Sequence, residues 1–422
     1  MLTAAIFART HRAYLTLSVV IFCGYVGVGS ASPFQTLYAT SLGASLNQVA
    51  LVTGVFSTLA MAAGLLWGRL ADRLRRRKPF VVGGVAALAL IHLATAYVPT
   101  WQLLVPLRAL EGAASGAYQV ASMALMGHLL HGQPARGRMV SGYRMSGSLA
   151  FSVAIVFSGW LAQTVGFRGS YLFASGVYVV ALLIALNVLE HTGNRGSPEI
   201  TRARAAPPRD QPHTAVDSVP HAASGSNAPG FVAIMRGPLG PLLVLAVAFG
   251  LPFAAVYSVW PIWVANVLGH GRAVYSQLWG LAAFVEVPCM LLAGYLADRV
   301  GRRRTFSLGL TFFALVYLAY FLAPPLPGLI AAQVLRGFAF AFFTATALTM
   351  AIELAPPEAR GRAAGLYSSA NGLAQISGNW IGAPLAAAIG FRSFYAAAAV
   401  AVLCAALYAQ VALRAGPSRG EA

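Results

Sequence analysis

Long apolar runs alternate with short polar connections along almost the whole chain. Runs of roughly 20 residues or more lie near 13–39, 46–67, 79–98, 101–127, 139–162 and 169–189. A second set lies near 238–265, 276–296, 305–323, 327–353, 364–388 and 391–413. Coiled at about 1.5 Å per residue, a run of this length crosses a hydrocarbon layer about 30 Å thick. The pattern predicts an all-α membrane protein with twelve transmembrane helices in two groups of six.

Two segments depart from the pattern. Arg9, His11 and Arg12 precede the apolar stretch from Tyr14 to Val28, and Gly29, Ser30, Ala31 and Ser32 follow it. A cleavable export signal has the same layout, but its removal would leave an odd number of spans. The stretch from His191 to Pro229 carries Pro207, Pro208, Pro212 and Pro220, charges of both signs and no apolar periodicity. It reads as a flexible linker. The expected organisation is a first six-helix bundle at 1–190, a cytoplasmic linker at 191–235 and a second bundle at 236–422.

Composition narrows the function classes. Of 422 residues, 58% are hydrophobic and 9% charged, against about 25% charged in soluble domains. A soluble enzyme could not cover so much apolar side chain. The net charge of +18 could suggest nucleic acid, but the basic residues sit in the connections between runs. Arg168, Arg272 and Arg392 lie on one side, while 23 Lys and Arg lie on the other and Arg108, Arg144 and Arg336 lie inside runs. The positive-inside rule places the basic side, both termini and the linker in the cytoplasm. Cys23, Cys289 and Cys404 all fall within apolar runs and read as free thiols.

The two halves repeat. Leu42-Gly43 recurs as Leu268-Gly269, and Gly68-Arg69-Leu70-Ala71-Asp72-Arg73 recurs as Gly294-Tyr295-Leu296-Ala297-Asp298-Arg299, both at an offset of 226. Arg108 recurs as Arg336 at 228, Ala135 to Arg138 as Ala359 to Arg362 at 224, and Gly166-Phe167-Arg168 as Gly390-Phe391-Arg392 at 224. So constant an offset describes tandem bundles related by an axis along the membrane normal.

These residues resemble the major facilitator superfamily of transporters, whose signature is Gly-x-x-x-Asp-Arg-x-Gly-Arg-Arg/Lys. Gly294 to Arg303 matches it in full. Gly68 to Arg77 matches except that Arg75 stands where the second glycine belongs, so a differently shaped turn is expected there. The resemblance implies the major facilitator fold of two pseudo-symmetric six-helix bundles. It also implies a gating role for Gly68, Asp72, Arg73, Arg76, Gly294, Asp298, Arg299 and Arg302. In physical terms, the glycines let helix ends approach closely. The aspartates can be satisfied by an opposing helix N-terminus or an arginine. Glu353, at the end of span 10, is expected to pair with Arg302 or Arg299. A plain positive-inside anchor is the competing reading for the arginines.

Arg108 and Glu111 in span 4, Arg144 in span 5, Glu286 in span 8 and Arg336 in span 10 place charge inside apolar runs. Each costs about 2.5–3.5 kcal/mol at a helix centre, even on the lenient insertion scale, unless paired or wet. Arg108 and Glu111, three apart, can satisfy one another. Arg108 to Gly116 also resembles the span 4 Arg-x-x-x-Gly motif of proton-coupled drug antiporters. Glu286 has no cation near it on its own helix, so its partner must come from another. These five are the candidates for proton coupling; a neutral, hydrogen-bonded Glu286 is the structural alternative.

Two stretches, Tyr257 through Tyr295 and Ser141 through Ala150, resemble the bacterial sugar efflux transporters, which carry Glu-x-Pro in span 8 and an arginine in span 5. Here these are Glu286-Val287-Pro288 and Arg144. The Gly-Pro motif of drug antiporters is absent from span 5, although multidrug efflux remains the alternative. Sugars need aromatic faces and amides, and Tyr25, Gln35, Tyr38, Gln119, Trp260, Asn371, Gln375 and Asn379 are the candidate substrate contacts. The three amides of span 11 stand four apart and form one stripe, which could equally bind helix to helix.

No cofactor, catalytic constellation or metal set is expected, and no phosphate-binding Gly-x-x-x-x-Gly-Lys-Ser/Thr occurs. Expected partners are protons, a small solute and the lipid bilayer, with a single chain acting as a monomer in a bacterial inner membrane. A chain with Ser218→Cys should react with impermeant maleimide only from the cytoplasmic side, and labelling from outside would overturn this topology.

Overall fold

The computed structural model describes residues 2–74, 76–129, 136–192, 237–356 and 359–413. Of these, side chains are described except at 2–13, 128–129, 136–145 and 187–192. The expected linker, including Ser218, together with Arg75 and the Arg144 side chain, lies outside the described residues.

The first half contains α1 (Leu2–Ala31), a 3₁₀ turn (Ser32–Phe34), α2 (Gln35–Ser41), α3 (Leu46–Leu74), α4 (Lys78–Thr95), α5 (Trp101–Leu129), α6 (Arg136–Thr164) and α7 (Phe167–Thr192). The second contains α8 (Gly240–Ile262), a π turn (Trp263–Val267), α9 (Gly271–Val300), α10 (Arg302–Leu322), α11 (Leu326–Glu353) and α12 (Arg360–Ala412). Among the described residues, ten helical segments are long and apolar enough to cross a membrane. One of them, α12, holds two spans, because its path breaks at Gly390 with φ 76°. The 29-residue α5, whose Arg108, Glu111 and Gln119 lower its hydropathy, makes the twelfth.

The repeat reappears as geometry. Gly166 has φ 85° and its counterpart Gly390 has φ 76°, a region that favours glycine because a Cβ would clash. Arg168 lies over the Tyr97 ring at 4.0 Å, and Arg392 lies over Phe321 at 5.0 Å. Gly301, in the complete signature copy, has φ 97°.

The signature itself differs from the expected loop. α3 and α9 run past their apolar segments, so Asp72, Arg73, Asp298 and Arg299 sit on helical ends. The expected close approach at the signature glycines is corrected. A Cβ on Gly68 would meet only Val120 at 3.5 Å, and one on Gly294 would meet nothing within 4 Å. The tight glycines are Gly112 and Gly116 on α5, where a Cβ would stand 2.5 Å from the Phe56 carbonyl oxygen and 2.8 Å from that of Ala60. They let α5 lie directly on the α3 backbone.

Packing is uneven along the membrane normal. Outer-end residues of the first half, including Phe34, Leu37, Val49, Val52, Ile155 and Phe167, share one apolar cluster with Val256, Val259, Trp260 and Tyr275 of the second half. Residues of α1, α4, α5 and α7 nearer the signature end, such as Leu17, Val85, Tyr118 and Ala181, form a separate cluster. The halves are therefore fused at the end opposite the signatures.

Gly112→Val should lower stability by about 1–3 kcal/mol, the usual range for overpacking, while Gly83→Ala, which meets nothing within 4 Å, should leave it unchanged. Thermal unfolding in detergent reads both.

Candidate functional site

Hydrogen bonds between the halves cluster at the fused end. Tyr275 donates to the Pro33 carbonyl at 2.6 Å, and Arg272 Nη1 donates to the Ala162 carbonyl at 3.0 Å. The Arg272 guanidinium also covers the Phe167 ring at 4.0 Å. One level deeper, Thr53 donates to the Asn379 carbonyl at 3.0 Å and Trp380 Nε1 donates to Thr58 Oγ1 at 3.1 Å. Gly159 lies so close to Ser276 that any Cβ would overlap its hydroxyl.

Beneath this seal is a cavity of about 250 Å³ lined by both halves: Ser32, Pro33, Gln35, Thr36 and Phe151 from the first, and Tyr257, Pro261 and Trp279 from the second. Gln35 Oε1 is buried there without a hydrogen-bond partner. Behind the aromatic wall, Arg336 lies 4.9 Å from the Tyr257 ring and 4.8 Å from Trp279. Its Nη1 atom finds no hydrogen-bond acceptor. Ring faces attract the guanidinium electrostatically, by about 2 kcal/mol or more when desolvated, which explains how α11 carries this charge.

Glu286 stands midway along the 30-residue α9. Its neighbour Val285 presses on Gly337, next to Arg336, and the Glu286 and Arg336 charges are near enough to interact. Arg336 is therefore the candidate partner on another helix, and among the described residues no ion pair closes between the two. Trp279 is two helical turns, about 10 Å, before Glu286 on the same face of α9. It was missed as a site residue, although the seven-residue spacing from Glu286 was a legible signal.

Arg108 and Glu111 do not join this cavity. Arg108 Nη1 donates to Glu111 Oε2 at 2.5 Å, both are buried, and Arg108 stacks on Phe56 at 4.0 Å. The pair closes inside the first half, with Arg108 Nε and Nη2 left without hydrogen-bond partners.

The substrate candidates divide. Gln35 lines the cavity, but Trp260 is wholly buried behind it, against Trp279, Tyr275 and Tyr320. Its place on the wall is taken by Tyr257 and Trp279, because the α8 face bearing Trp260 turns into the second half. Tyr38 spends its hydroxyl on the Thr95 and Val98 carbonyls and packs on Tyr171, so it belongs to the first-half core. Tyr25 packs over Gly147, and Gln119 is exposed. Along the amide stripe, Asn371 Oδ1 is buried without a hydrogen-bond partner beside Gly250 of α8. Asn379 offers its backbone to α3, and Gln375 is half-buried.

At the signature end, Arg77 Nη2 lies 3.6 Å from Asp72, and its Nη1 donates to the Ala124 carbonyl at 2.9 Å. Both contacts stay within the first half. Arg302 pairs with Glu353, as expected, and Arg299 lies over Tyr295 at 4.8 Å. Arg73, Arg76 and Asp298 are exposed. Cys23, Cys289 and Cys404 are free.

The Major Facilitator Superfamily profile matches residues 17–285 and 242–422, which together take in nearly the whole chain. The chain belongs to the Major Facilitator Superfamily. It is a multi-pass membrane transporter. A Deinococcus radiodurans protein named as a sugar efflux transporter is 26% identical over 408 residues, covering 94% of this chain and 95% of the relative. A maltose permease of Geobacillus stearothermophilus is 26% identical over 357 residues, covering 83% and 82%. Among solved structures, a variant of the nucleoside transporter NupG superposes with a TM-score of 0.73 at 15% identity, covering 95% of this chain and 99% of that one. This last likeness shows a shared fold over 95% of the chain.

Prising the sealed end apart should be detectable. Gly159→Leu, or Arg272→Ala, should raise labelling of a Ser32→Cys reporter from the sealed side about fivefold, the effect of roughly 1 kcal/mol on a two-state equilibrium. An unchanged rate in both variants would show that the seal lies elsewhere.

Proposed function

We propose that the protein is a proton-coupled exporter of sugars or related small hydroxylated solutes, acting as a monomer by alternating access. The carrying observation is the cavity between the halves: aromatic faces of Tyr257 and Trp279, the unbonded Gln35 amide, and Arg336 behind them within reach of Glu286. Flat rings suit the apolar face of a sugar, and amides suit its hydroxyls. The whole-length likeness to relatives named for sugar transport supports the same class.

Glu286 is the proton carrier in this reading. A carboxyl set between apolar helices and the Arg336 guanidinium can take up or release a proton when the helices around it rearrange. A solute that competes with the proton for the same carboxylate gives antiport, since each leaves as the other arrives. Arg144 of span 5 is proposed as a further cation in proton coupling. Tyr25, Gln119, Asn371, Gln375 and Asn379 are proposed to contact solute during the cycle.

The protein sits in the bacterial inner membrane with its termini and the 191–235 linker cytoplasmic, between bundles 1–190 and 236–422. The sealed end is then periplasmic. The signature residues Gly68, Asp72, Arg73, Arg76, Gly294, Asp298, Arg299 and Arg302, with Glu353, latch the cytoplasmic ends in the alternate state.

Glu286→Gln mimics the protonated acid. In proteoliposomes it should reduce proton-driven accumulation to the equilibrium level while sparing solute exchange. Uphill transport at the normal rate and pH dependence would make Glu286 structural. Ligand-linked thermal stabilisation should appear with sugars; stabilisation by cationic drugs alone would replace this reading with multidrug efflux.

A further inference from the structure

We propose that His92 and Glu111 hold one proton between them, forming a second proton-binding site inside the first half, apart from the Glu286 cavity. His92 lies well inside the third apolar run. It is 1% exposed on α4, with Glu111 facing it from α5. The ring's Nδ1 lies 2.7 Å from the Leu88 carbonyl oxygen. A carbonyl only accepts, so Nδ1 carries the hydrogen. In the neutral ring Nε2 is then a bare acceptor, and it faces another acceptor, Glu111 Oε1, at 3.7 Å. Nε2 has no hydrogen-bond partner.

Two acceptors facing one another in a buried site repel, and a single proton turns the contact into a charge-assisted hydrogen bond. Closing the gap from 3.7 Å to a bonded distance of about 2.8 Å needs less than 1 Å of movement. The proton sits on Nε2 donating to Oε1, or on Oε1 donating to Nε2. Either way the bond completes both groups.

The surroundings fix this geometry. Arg108 Nη1 holds the other Glu111 oxygen and Phe56 of α3 covers the guanidinium. From α7, Tyr178 and Tyr171 lie 5.1 and 6.1 Å from the imidazole ring, and Tyr38 of α2 packs on Tyr171. Ser175 of α7 donates to the Ala89 carbonyl at 2.8 Å, tying α7 to α4 beside His92. The tyrosine hydroxyls are neutral donors, so Arg108 and Glu111 are the charged groups facing the ring. The unloaded triad carries no net charge and the loaded triad one positive charge, which the three ring faces accommodate. Because the triad is sealed in this state, the proton enters and leaves when α4 and α5 shift.

The test is nitrogen NMR on the full-length protein in lipid, with ¹⁵N-histidine and ¹³C-carbonyl leucine. The histidine whose Nδ1 couples to a leucine carbonyl is His92. We expect its Nδ1 to carry hydrogen throughout, while Nε2 changes from bare to hydrogen-bonded with Glu111 on acidification. In Glu111→Gln the Nε2 response should change, while the Nδ1 signal persists. In His92→Gln the signal should vanish. An Nε2–H tautomer at high pH, or an Nε2 resonance that never moves in the wild type, would overturn the proposal. The wild-type measurement decides it even if a variant fails to fold. It reads the resting protein, so its outcome is separate from whether Glu286 couples transport.

Discussion

Charge inside hydrocarbon has to be answered by something other than water, and the answers found here determine how the helices meet. Arg108 is answered by a carboxylate one turn along its own helix, and both are closed in by α3, α4 and α7. Arg336, its repeat counterpart, has no such neighbour and is answered by two ring faces, with Glu286 more distant. The same position in the repeat has thus become a carboxylate-paired cation closed into one half and a ring-covered cation beside a cavity in the other. The cation beside a cavity is the one able to respond to a ligand or a proton.

The second constraint is where the halves touch. An apolar cluster and several hydrogen bonds join them at the end opposite the signatures. Near the signatures, the first half's apolar residues pack only among themselves and Asp72 pairs within its own half. A transporter must be able to exchange one seal for the other, and neither can be overwhelmingly stronger. The seal seen here combines the shared apolar cluster with a few hydrogen bonds and a glycine against a serine, and no ion pair crosses it among the described residues.

The sequence by itself determined the fold. Twelve apolar runs, the 224–228 residue offset and the signature residues required tandem six-helix bundles, because the bilayer leaves few alternatives to helices and repeat spacing sets their pairing. Helix limits came out within a few residues in most spans, and the spacing of Arg108 and Glu111 allowed the pair that forms, beside the other reading of a role in proton coupling. Periodicity also reveals which residues share a face: Trp279 lies two turns before Glu286. Which neighbour each face meets depends on helix rotation about its own axis. That rotation was decided only by tertiary packing, which turned Trp260 into the core, gave Tyr38 to backbone carbonyls, and brought Gln35, Tyr257 and Trp279 from three helices to one cavity. It also set His92 against Glu111, nineteen positions away, since no local pattern records a contact made between helices.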